Sequence, residues 1–236
     1  KVEMMGEKEL YKAACCNLSE SFETNPSIDV AYADAVTGTK QIQMLGLDGK
    51  YSQITREQMP AVRGVSSVQG MTYIPGSWIE SIQINKGAGS VVNGFESVTG
   101  QINVELKKPE ESEKWFLNGY ANRGGRSELN FLGAQRLNEN VSTGILLHGS
   151  LRPLDIDNNK DGFLDFPNGY HLNAINRWRF NSHKGWEGQA GVNVLTEERK
   201  GGQLQSETVK NPYTLKWNTN RGEFWGKTGY VFPQAK

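Results

Sequence analysis

The sequence predicts an α+β domain followed by antiparallel strands of an incomplete transmembrane β-barrel. Two observations favour this fold class. Beyond residue 109, the chain of 236 residues consists of segments in which apolar and polar side chains alternate, as in strands with one apolar face. Before that point, a short helical pattern and several short strands are separated by glycine and proline. We therefore expect two domains, residues 1–109 and residues 110–236.

Charge and hydropathy limit the partners and the membrane topology. Lysine plus arginine number 26 and aspartate plus glutamate also number 26, so no net charge indicates nucleic acid as a partner. No apolar run reaches the roughly 20 residues of a membrane-spanning helix. Barrel strands alternate lipid-facing with lumen-facing residues, so the negative mean hydropathy is compatible with them. Because the chain opens without a signal-peptide pattern, we expect it to be either cytoplasmic or trimmed.

Periodicity and turn residues predict the elements of the first domain. Helix formers with apolar residues at four-residue spacing predict a helix over residues 7–22, which Pro26 would end. The glycine- and serine-rich residues 64–76 predict a loop. A charged stretch around Pro109 predicts a linker between domains. Alternation predicts four strands, over residues 27–34, 40–47, 81–86 and 101–107.

Seven alternating segments follow the linker. In the third of them, Val141, Ile145 and Leu147 share one face. Ser142 and His148 lie on the opposite face, so one side is apolar and the other polar. Aromatic residues near the ends of the fourth segment suit the interfacial girdles of a barrel. The segments cover residues 115–123, 127–137, 140–151, 168–180, 185–196, 213–219 and 223–232.

Short turns alternate with longer loops between these segments. Loops of roughly fifteen residues are predicted at 152–167 and 197–212. Outer-membrane barrels have short periplasmic turns and long extracellular loops, so this alternation places every tight turn on the periplasmic side. The first outer connection, near Gly124, is itself short. The tight turns are predicted at residues 137–140, 181–184 and 220–222.

Two segments of the first domain carry a family resemblance. Residues 73–87 read YIPGSWIESIQINKG, and residues 89–109 contain GSVVNG, TGQINV and KKP in that order. Their order and spacing resemble the plug domain of TonB-dependent receptors, and Arg63 with the following glycine stands where the family's Arg-Gly pair commonly falls. The resemblance covers roughly residues 7–109. Lys86 replaces the family's arginine, and the family's Asp-Gly turn is not evident.

The resemblance implies active import across the bacterial outer membrane rather than catalysis. A TonB-type energy-coupling protein of the inner membrane would pull on an N-terminal segment, the TonB box, which these residues do not include. The cargo would be a scarce nutrient: chelated iron or copper, a vitamin such as cobalamin, a glycan or a peptide.

Seven strands are too few for the barrel of such a receptor. A bacterial barrel that accommodates a plug has about 22 strands, and the number is even. An open barrel would leave unpaired backbone groups in lipid, which costs several kcal/mol per group. We therefore expect further polypeptide to complete the barrel, which would contact outer-membrane lipid.

The loop at residues 155–165 has oxygen side chains at alternate positions. This spacing predicts a Ca²⁺ site in an extracellular loop. Position twelve of an EF-hand-like count is Asn168 rather than glutamate, for which Asp155 could substitute. An ordinary turn without metal is equally compatible. The candidate ligands at positions one, three, five, seven and nine are Asp157, Asn159, Asp161, Phe163 and Asp165.

Cys15 and Cys16 are adjacent on the predicted helix, with Met4 and Met5 upstream. Thiolates and thioethers suit a soft metal such as copper(I). Small thiols also pack well in cores, and core packing is the favoured interpretation. The cysteine pair additionally resembles a subgroup of plugs from Bacteroidetes-like bacteria.

The sequence contains no candidate for catalysis. His148, His171 and His183 lie on separate segments without a paired-histidine spacing. A nucleophile elbow, a phosphate loop and a zinc signature are all missing from the sequence. The alternative function is a surface calcium-binding, β-rich protein for adhesion or binding, which could be extracted without detergent.

Overall fold

The computed structural model consists of two compact units, Lys1–Lys107 and Lys108–Lys236. The fold class predicted from the sequence is confirmed, whereas the domain boundary after residue 109 stays a prediction. The structure describes residues 2–12, 17–23, 25–26, 28–32, 36, 38–64, 69–89, 96–182, 184–205 and 209–232.

The first unit contains a five-stranded sheet and a three-stranded sheet. The larger sheet has the spatial order β1-β7-β8-β5-β6, in which β5 and β8 are parallel and the other neighbours antiparallel. The smaller sheet has the order β2-β3-β4. The strands are β1 (Val2–Gly6), β2 (Ile28–Tyr32), β3 (Lys40–Met44), β4 (Leu47–Asp48), β5 (Ser52–Arg56), β6 (Met59–Val62), β7 (Ile79–Lys86) and β8 (Gly100–Leu106).

The predicted strands over 81–86 and 101–107 are confirmed as β7 and β8. Their isoleucines alternate with polar residues, and Ile82, Ile84 and Ile102 are fully buried in the core of this unit. The sequence did not predict β1, β5 or β6. The single strand predicted over residues 40–47 is wrong beyond Met44, because a turn at residues 45–46 separates β3 from β4. Short 3₁₀ helices at Gly49–Tyr51, Gly70–Tyr73 and Gly76–Trp78 connect the strands.

The strand β5, which lies between β8 and β6, has mainly polar side chains, all of them buried. The Ser52 hydroxyl lies 2.7 Å from that of Thr99, and the Thr55 hydroxyl donates to Asn103 Oδ1 at 2.9 Å. Buried polar groups are tolerated when they are paired in this way. Because β5 lacks alternating apolar residues, periodicity could not identify it.

The helix predicted over residues 7–22 is wrong in its extent. The helix α1 covers Glu7–Lys12, and a separate 3₁₀ helix covers Glu20–Phe22. Asn17 forms an isolated β-bridge with Pro75 instead of continuing a helix. The Asn17 side chain also accepts the backbone N–H of Glu20 at 3.3 Å, which competes with helical hydrogen bonding.

The second unit is a six-stranded antiparallel sheet in which each strand pairs with the next along the chain. Hairpin pairing of this kind needs no crossover connection. The strands are β9 (Trp115–Ala121), β10 (Ser127–Arg136), β11 (Val141–Arg152), β12 (Asn168–Asn181), β13 (Trp186–Gly202) and β14 (Thr214–Tyr230).

The last two predicted segments form one strand, so the sequence-based count of seven strands is wrong. β14 pairs with β13 continuously from Thr214 to Tyr230, which excludes the turn predicted at residues 220–222. Asn220 and Gly222 have turn chemistry, but β13 offers an unbroken edge of 17 residues. Pairing along that edge satisfies the backbone N–H and C=O groups that a turn would leave to water.

The connections of the sheet lie at two ends. Residues 122–126, 153–167, 203–205 and 209–213 lie at one end, and residues 137–140, 182 and 184–185 lie at the other. The two long connections share an end, as the predicted alternation of turns and loops requires. We call the end with residues 153–167 the long-loop end, and the opposite end the short-turn end.

Candidate functional site

The sheet of the second unit is inverted relative to that of a water-soluble protein. Its exposed face is apolar and its buried face is largely polar. On β11, the exposed Ile145 and Leu147 alternate with the buried Ser142 and His148, as the sequence predicts. The exposed fraction reaches 77% for Phe224 on β14. Leaving this much apolar surface in water would cost about 25 cal/mol per Å², which favours lipid as its surroundings.

Aromatic side chains mark both ends of the exposed face. On β12, Tyr170 lies near the long-loop end and Phe180 near the short-turn end. Trp186 and Tyr230 pair across β13 and β14 near the short-turn end, with ring centroids 5.0 Å apart. The roughly ten residues from Tyr170 to Phe180 span about 33 Å along the strand, or about 25 Å at a tilt of about 40°. That height matches the apolar band of an outer-membrane barrel.

The amide of Asn176 on this face is satisfied within the protein. Asn176 Nδ2 donates to the carbonyl of Gly144 at 3.2 Å, and its Oδ1 accepts from Trp178 Nε1 at 2.8 Å. An unpaired amide in hydrocarbon would cost several kcal/mol. The hydrogen bonding of Asn176 is therefore compatible with contact to lipid.

The buried face carries a row of paired residues across three strands. Arg177 on β12 lies opposite Gly191 on β13, which lies opposite Trp225 on β14. Trp225 covers Gly191 so closely that a Cβ there would lie 2.6 Å from its ring. The ring centroid of Trp225 is 5.7 Å from the Arg177 guanidinium carbon, and Arg177 Nη2 donates to Gln189 at 3.1 Å. The buried charge is thus held by cation–π and hydrogen-bond contacts.

Two histidines from separate sequence segments meet on the buried face. The ring centroids of His148 and His171 are 5.2 Å apart, with the ring planes perpendicular. Nδ1 of His148 lies 2.7 Å from Asn130 Oδ1, and Nδ1 of His171 lies 3.5 Å from Glu197 Oε1. Arg199 Nε donates to the same Glu197 oxygen at 2.6 Å. Each imidazole therefore has an oxygen acceptor beside one ring nitrogen.

The sequence does not predict this histidine pair, because the pair depends on the register of β11 against β12, which the long connection at residues 153–167 does not fix. His148 lies directly opposite Asn130, and His171 lies directly opposite Glu197. Counting outward from the turn predicted at residues 137–140 would place Leu129 opposite His148, one residue out of the observed register. The third histidine, His183, lies outside the described residues.

Comparisons with known proteins identify the first unit. Residues 1–101 match the family model described as the TonB-dependent Receptor Plug Domain. Residues 1–101 are a TonB-dependent receptor plug domain, and the sheet that follows them matches part of a TonB-dependent receptor barrel in fold. Receptors of this class are transporters of the bacterial outer membrane and not enzymes. A search of curated proteins finds no match to the chain.

Solved receptors share this fold. The ferric yersiniabactin uptake receptor FyuA from Yersinia pestis is 12% identical with a TM-score of 0.76, and covers 98% of this chain and 38% of its own. A mutant of the ferric enterobactin receptor PfeA from Pseudomonas aeruginosa is 13% identical to this chain, with a TM-score of 0.69. The alignment covers 98% of this chain and 39% of the PfeA chain. The siderophore receptor PiuA from Acinetobacter baumannii is 15% identical, with a TM-score of 0.63, and the alignment covers 84% of this chain and 26% of the PiuA chain.

The chain spans less than two fifths of the length of each of these three receptors. Identities this low establish the fold alone. The sheet of six strands therefore matches part of a TonB-dependent receptor barrel in fold, and the transported substrate is a separate question.

The motif of the plug domain lies on β7, β8 and the turns beside them. Gly100 opens β8, and a Cβ at this position would lie 2.4 Å from the carbonyl oxygen of Asn85. Glycine is required there because the backbones of the two strands approach closely. Residues 90–95, which hold part of the GSVVNG segment, lie outside the described residues.

Arg63, the arginine of the family's Arg-Gly pair, forms an ion pair with Glu96. Arg63 Nε lies 2.7 Å from Glu96 Oε1, and Nη2 lies 2.8 Å from Oε2. This side-chain hydrogen bonding lowers the pKa of Glu96 and raises the pKa of Arg63. The pair joins the segment after β6 to the segment before β8.

The predicted calcium ligands lie in one loop, where their oxygens make local hydrogen bonds. Asp157 Oδ1 accepts the backbone N–H of Asp161 at 3.2 Å, and Asp161 Oδ1 accepts that of Phe163 at 2.8 Å. Asn159 Nδ2 donates to Asp161 Oδ2 at 2.9 Å. Such bonds are typical of Asx turns. Calcium binding by this loop, including Asp165, stays a prediction.

The soft-metal prediction concerns Cys15 and Cys16, which lie outside the described residues. Of the methionines upstream, Met4 is exposed and Met5 is buried. Within the part of the chain that the structure describes, no group of three or more histidine, cysteine, aspartate or glutamate residues is arranged to hold a metal ion. In that same part, no helix is long and apolar enough to cross a membrane.

Proposed function

We propose that the chain is part of a receptor that actively imports a scarce nutrient across the bacterial outer membrane, driven by a TonB-type protein of the inner membrane. The inverted sheet carries this proposal, because an apolar outer face suits lipid and a polar inner face suits the passage of hydrophilic cargo. The alternative, a water-soluble calcium-binding adhesion protein, does not account for the exposed apolar face.

A metal chelate is the nutrient class that we propose. Similar structures are described as receptors for ferric yersiniabactin and ferric enterobactin, which supports chelated iron as the first candidate. Copper, a vitamin, a glycan and a peptide are the other outcomes of the test. Membership in a Bacteroidetes-like subgroup is a further hypothesis, based on the Cys15–Cys16 pair.

Uptake by a strain that lacks the gene tests the proposal. We expect the strain to lose accumulation of one labelled nutrient from a panel of ferric chelates, copper complexes, cobalamin, oligosaccharides and peptides. The complete gene should restore uptake in cells with TonB and fail to restore it in cells without TonB. Unchanged uptake of the whole panel, or extraction of the receptor without detergent, would contradict the proposal.

We also keep the proposal that the loop at residues 155–165 binds Ca²⁺, supported by the alternate spacing of its oxygen side chains. Calcium titration of the complete receptor should then show a site of about millimolar affinity. The double variant Asp157→Ala with Asp161→Ala should lose it, whereas Asp29→Ala in the plug domain should not. Equal calcium binding by all three proteins would contradict the proposal.

A further inference from the structure

We propose that His148 and His171 bind a divalent transition-metal ion of the copper, zinc and nickel group on the inner face of the barrel sheet. The inference rests on the proposed function and deepens it. Where the cargo carries copper, zinc or nickel rather than iron, the site would hold that metal ion during passage along the barrel wall.

The separation of the two rings fits coordination of one ion. A metal–nitrogen bond to imidazole is about 2.1 Å, and the ring centre lies about 1 Å beyond the nitrogen. Two imidazoles at a tetrahedral angle on one ion therefore have centroids about 5 Å apart. The rings of His148 and His171 have centroids 5.2 Å apart. Pairing of β11 with β12 makes His148 and His171 diagonal neighbours, opposite Asn173 and Ser150 respectively, and holds the rings at this distance without any ion.

The neighbours of both rings favour the same coordinating nitrogen. An N–H on Nδ1 of His148 would point to Asn130 Oδ1, 2.7 Å away, and one on Nδ1 of His171 would point to Glu197 Oε1, 3.5 Å away. A neutral imidazole that donates from Nδ1 carries its basic electron pair on Nε2. Histidine ligands of metals characteristically donate their other N–H to a carboxylate or an amide oxygen. Asn130 and Glu197 thus act as positioning residues.

Charge around the pair is balanced. Glu197, whose side chain is 1% exposed, pairs with Arg199. On β10, Glu128 pairs with Arg126. Because each arginine is matched by a carboxylate, neither cation is an uncompensated charge that would repel a metal ion.

The ligand set determines which ions the site would take. Imidazole prefers copper, zinc and nickel, whereas magnesium and calcium prefer oxygen ligands. Two protein ligands leave the remaining coordination positions to water or another small ligand, because His148 and His171 are each only 6% exposed. Such a site exchanges its ion readily, which suits transit better than permanent structural binding. The pair also lies nearer the long-loop end of β11 and β12 than the short-turn end.

Metal binding to the complete receptor in detergent tests the inference. We expect Cu²⁺ titration to show a site that His148→Ala and His171→Ala each weaken by at least about tenfold. Glu197→Gln should weaken it by about 10- to 100-fold, the usual effect of removing a hydrogen-bond partner of a metal ligand. The paramagnetic resonance spectrum should show nitrogen coupling that each histidine variant reduces. His183→Ala is the matched control and should bind Cu²⁺ as the wild type does.

Heat-modifiable migration on a gel identifies the variants that still fold. Where an alanine variant does not fold, His148→Gln or His171→Gln takes its place. Wild-type affinity in folded variants at both positions, or a spectrum without nitrogen coupling, would overturn the inference. Failure of the site and failure of import are distinguishable. If the deletion strain loses uptake but Cu²⁺ binding does not depend on the histidines, only the proposed metal site is refuted. If Cu²⁺ binding depends on the histidines but the deletion strain loses no uptake, only the proposed import function is refuted.

Discussion

Arg63 and Glu96 form a bidentate ion pair that joins residues 33 positions apart in the plug domain. The two contacts, 2.7 Å and 2.8 Å, match the planar fork of a guanidinium to a carboxylate. The side chains are 46% and 24% exposed, so solvent and salt screen the attraction. The pair therefore contributes modestly to stability and depends on pH.

We predict that Glu96→Gln lowers plug stability at neutral pH and has no effect in acid. The pKa of Glu96 is lowered from 4.5 in the folded state. Its contribution is therefore present above the unfolded-state pKa and is lost as the pH falls through the lowered folded-state pKa. Unfolding of the wild type and the variant across this range measures the difference. Glu105→Gln is a control, and a difference for Glu96→Gln that persists in strong acid would contradict the prediction.

We predict that Leu45→Asn stabilises the plug domain by about 0.5–1 kcal/mol, because asparagine tolerates the left-handed backbone better than leucine does. Leu45 has a φ of 55° in the turn between β3 and β4, and its side chain is 61% exposed. Denaturant unfolding checks the change. The control Leu47→Asn, in extended backbone, should not stabilise the domain. Equal or lower stability of Leu45→Asn would argue against the turn geometry.

We predict that Gly191→Val destabilises the barrel by about 1–3 kcal/mol, because the new side chain would displace Trp225. A Cβ at Gly191 would lie 2.6 Å from the indole ring. The temperature at which the folded gel band disappears measures the effect. Gly222→Val is the matched control, since a Cβ there meets nothing within 4 Å. Equal loss in both variants would show that glycine content matters and that the Trp225 contact does not.

We predict that Val194→Lys costs about 2–4 kcal/mol, because the substitution places a charge near the middle of the apolar band. Val194 is 53% exposed on the outward face of β13, where water would tolerate lysine and lipid would not. Ser127→Lys, at the long-loop end of β10, should cost about 0–1 kcal/mol. Reversible unfolding from lipid vesicles measures both. A similar small cost at both positions would contradict lipid contact.

The face of each barrel strand could be predicted from local sequence. Side chains in a strand alternate with period two, so the apolar set of β11 and β12 follows from their order alone. Strand ends were harder to predict. Asn220 and Gly222 suggested a turn, and only the long partner edge of β13 decided that the chain continues as β14.

Hydrogen bonding between residues far apart in the chain made two elements of the first unit unpredictable from local sequence. β5 is a buried interior strand whose polar side chains pair with Thr99 and Asn103, so it carries no apolar period. The predicted first helix stopped short because Asn17 bridges to Pro75, a residue far along the chain. In both cases the deciding partners are distant in sequence.

The sequence by itself determined the order of plug and barrel, the apolar face of the sheet and the motif of the plug domain. Each depends on the identity and spacing of neighbouring residues. Tertiary structure alone decided that His148 meets His171, that Trp225 covers Gly191 and that Arg63 pairs with Glu96. These contacts depend on strand register and chain return, which backbone hydrogen bonding and packing establish between segments that are far apart in the chain.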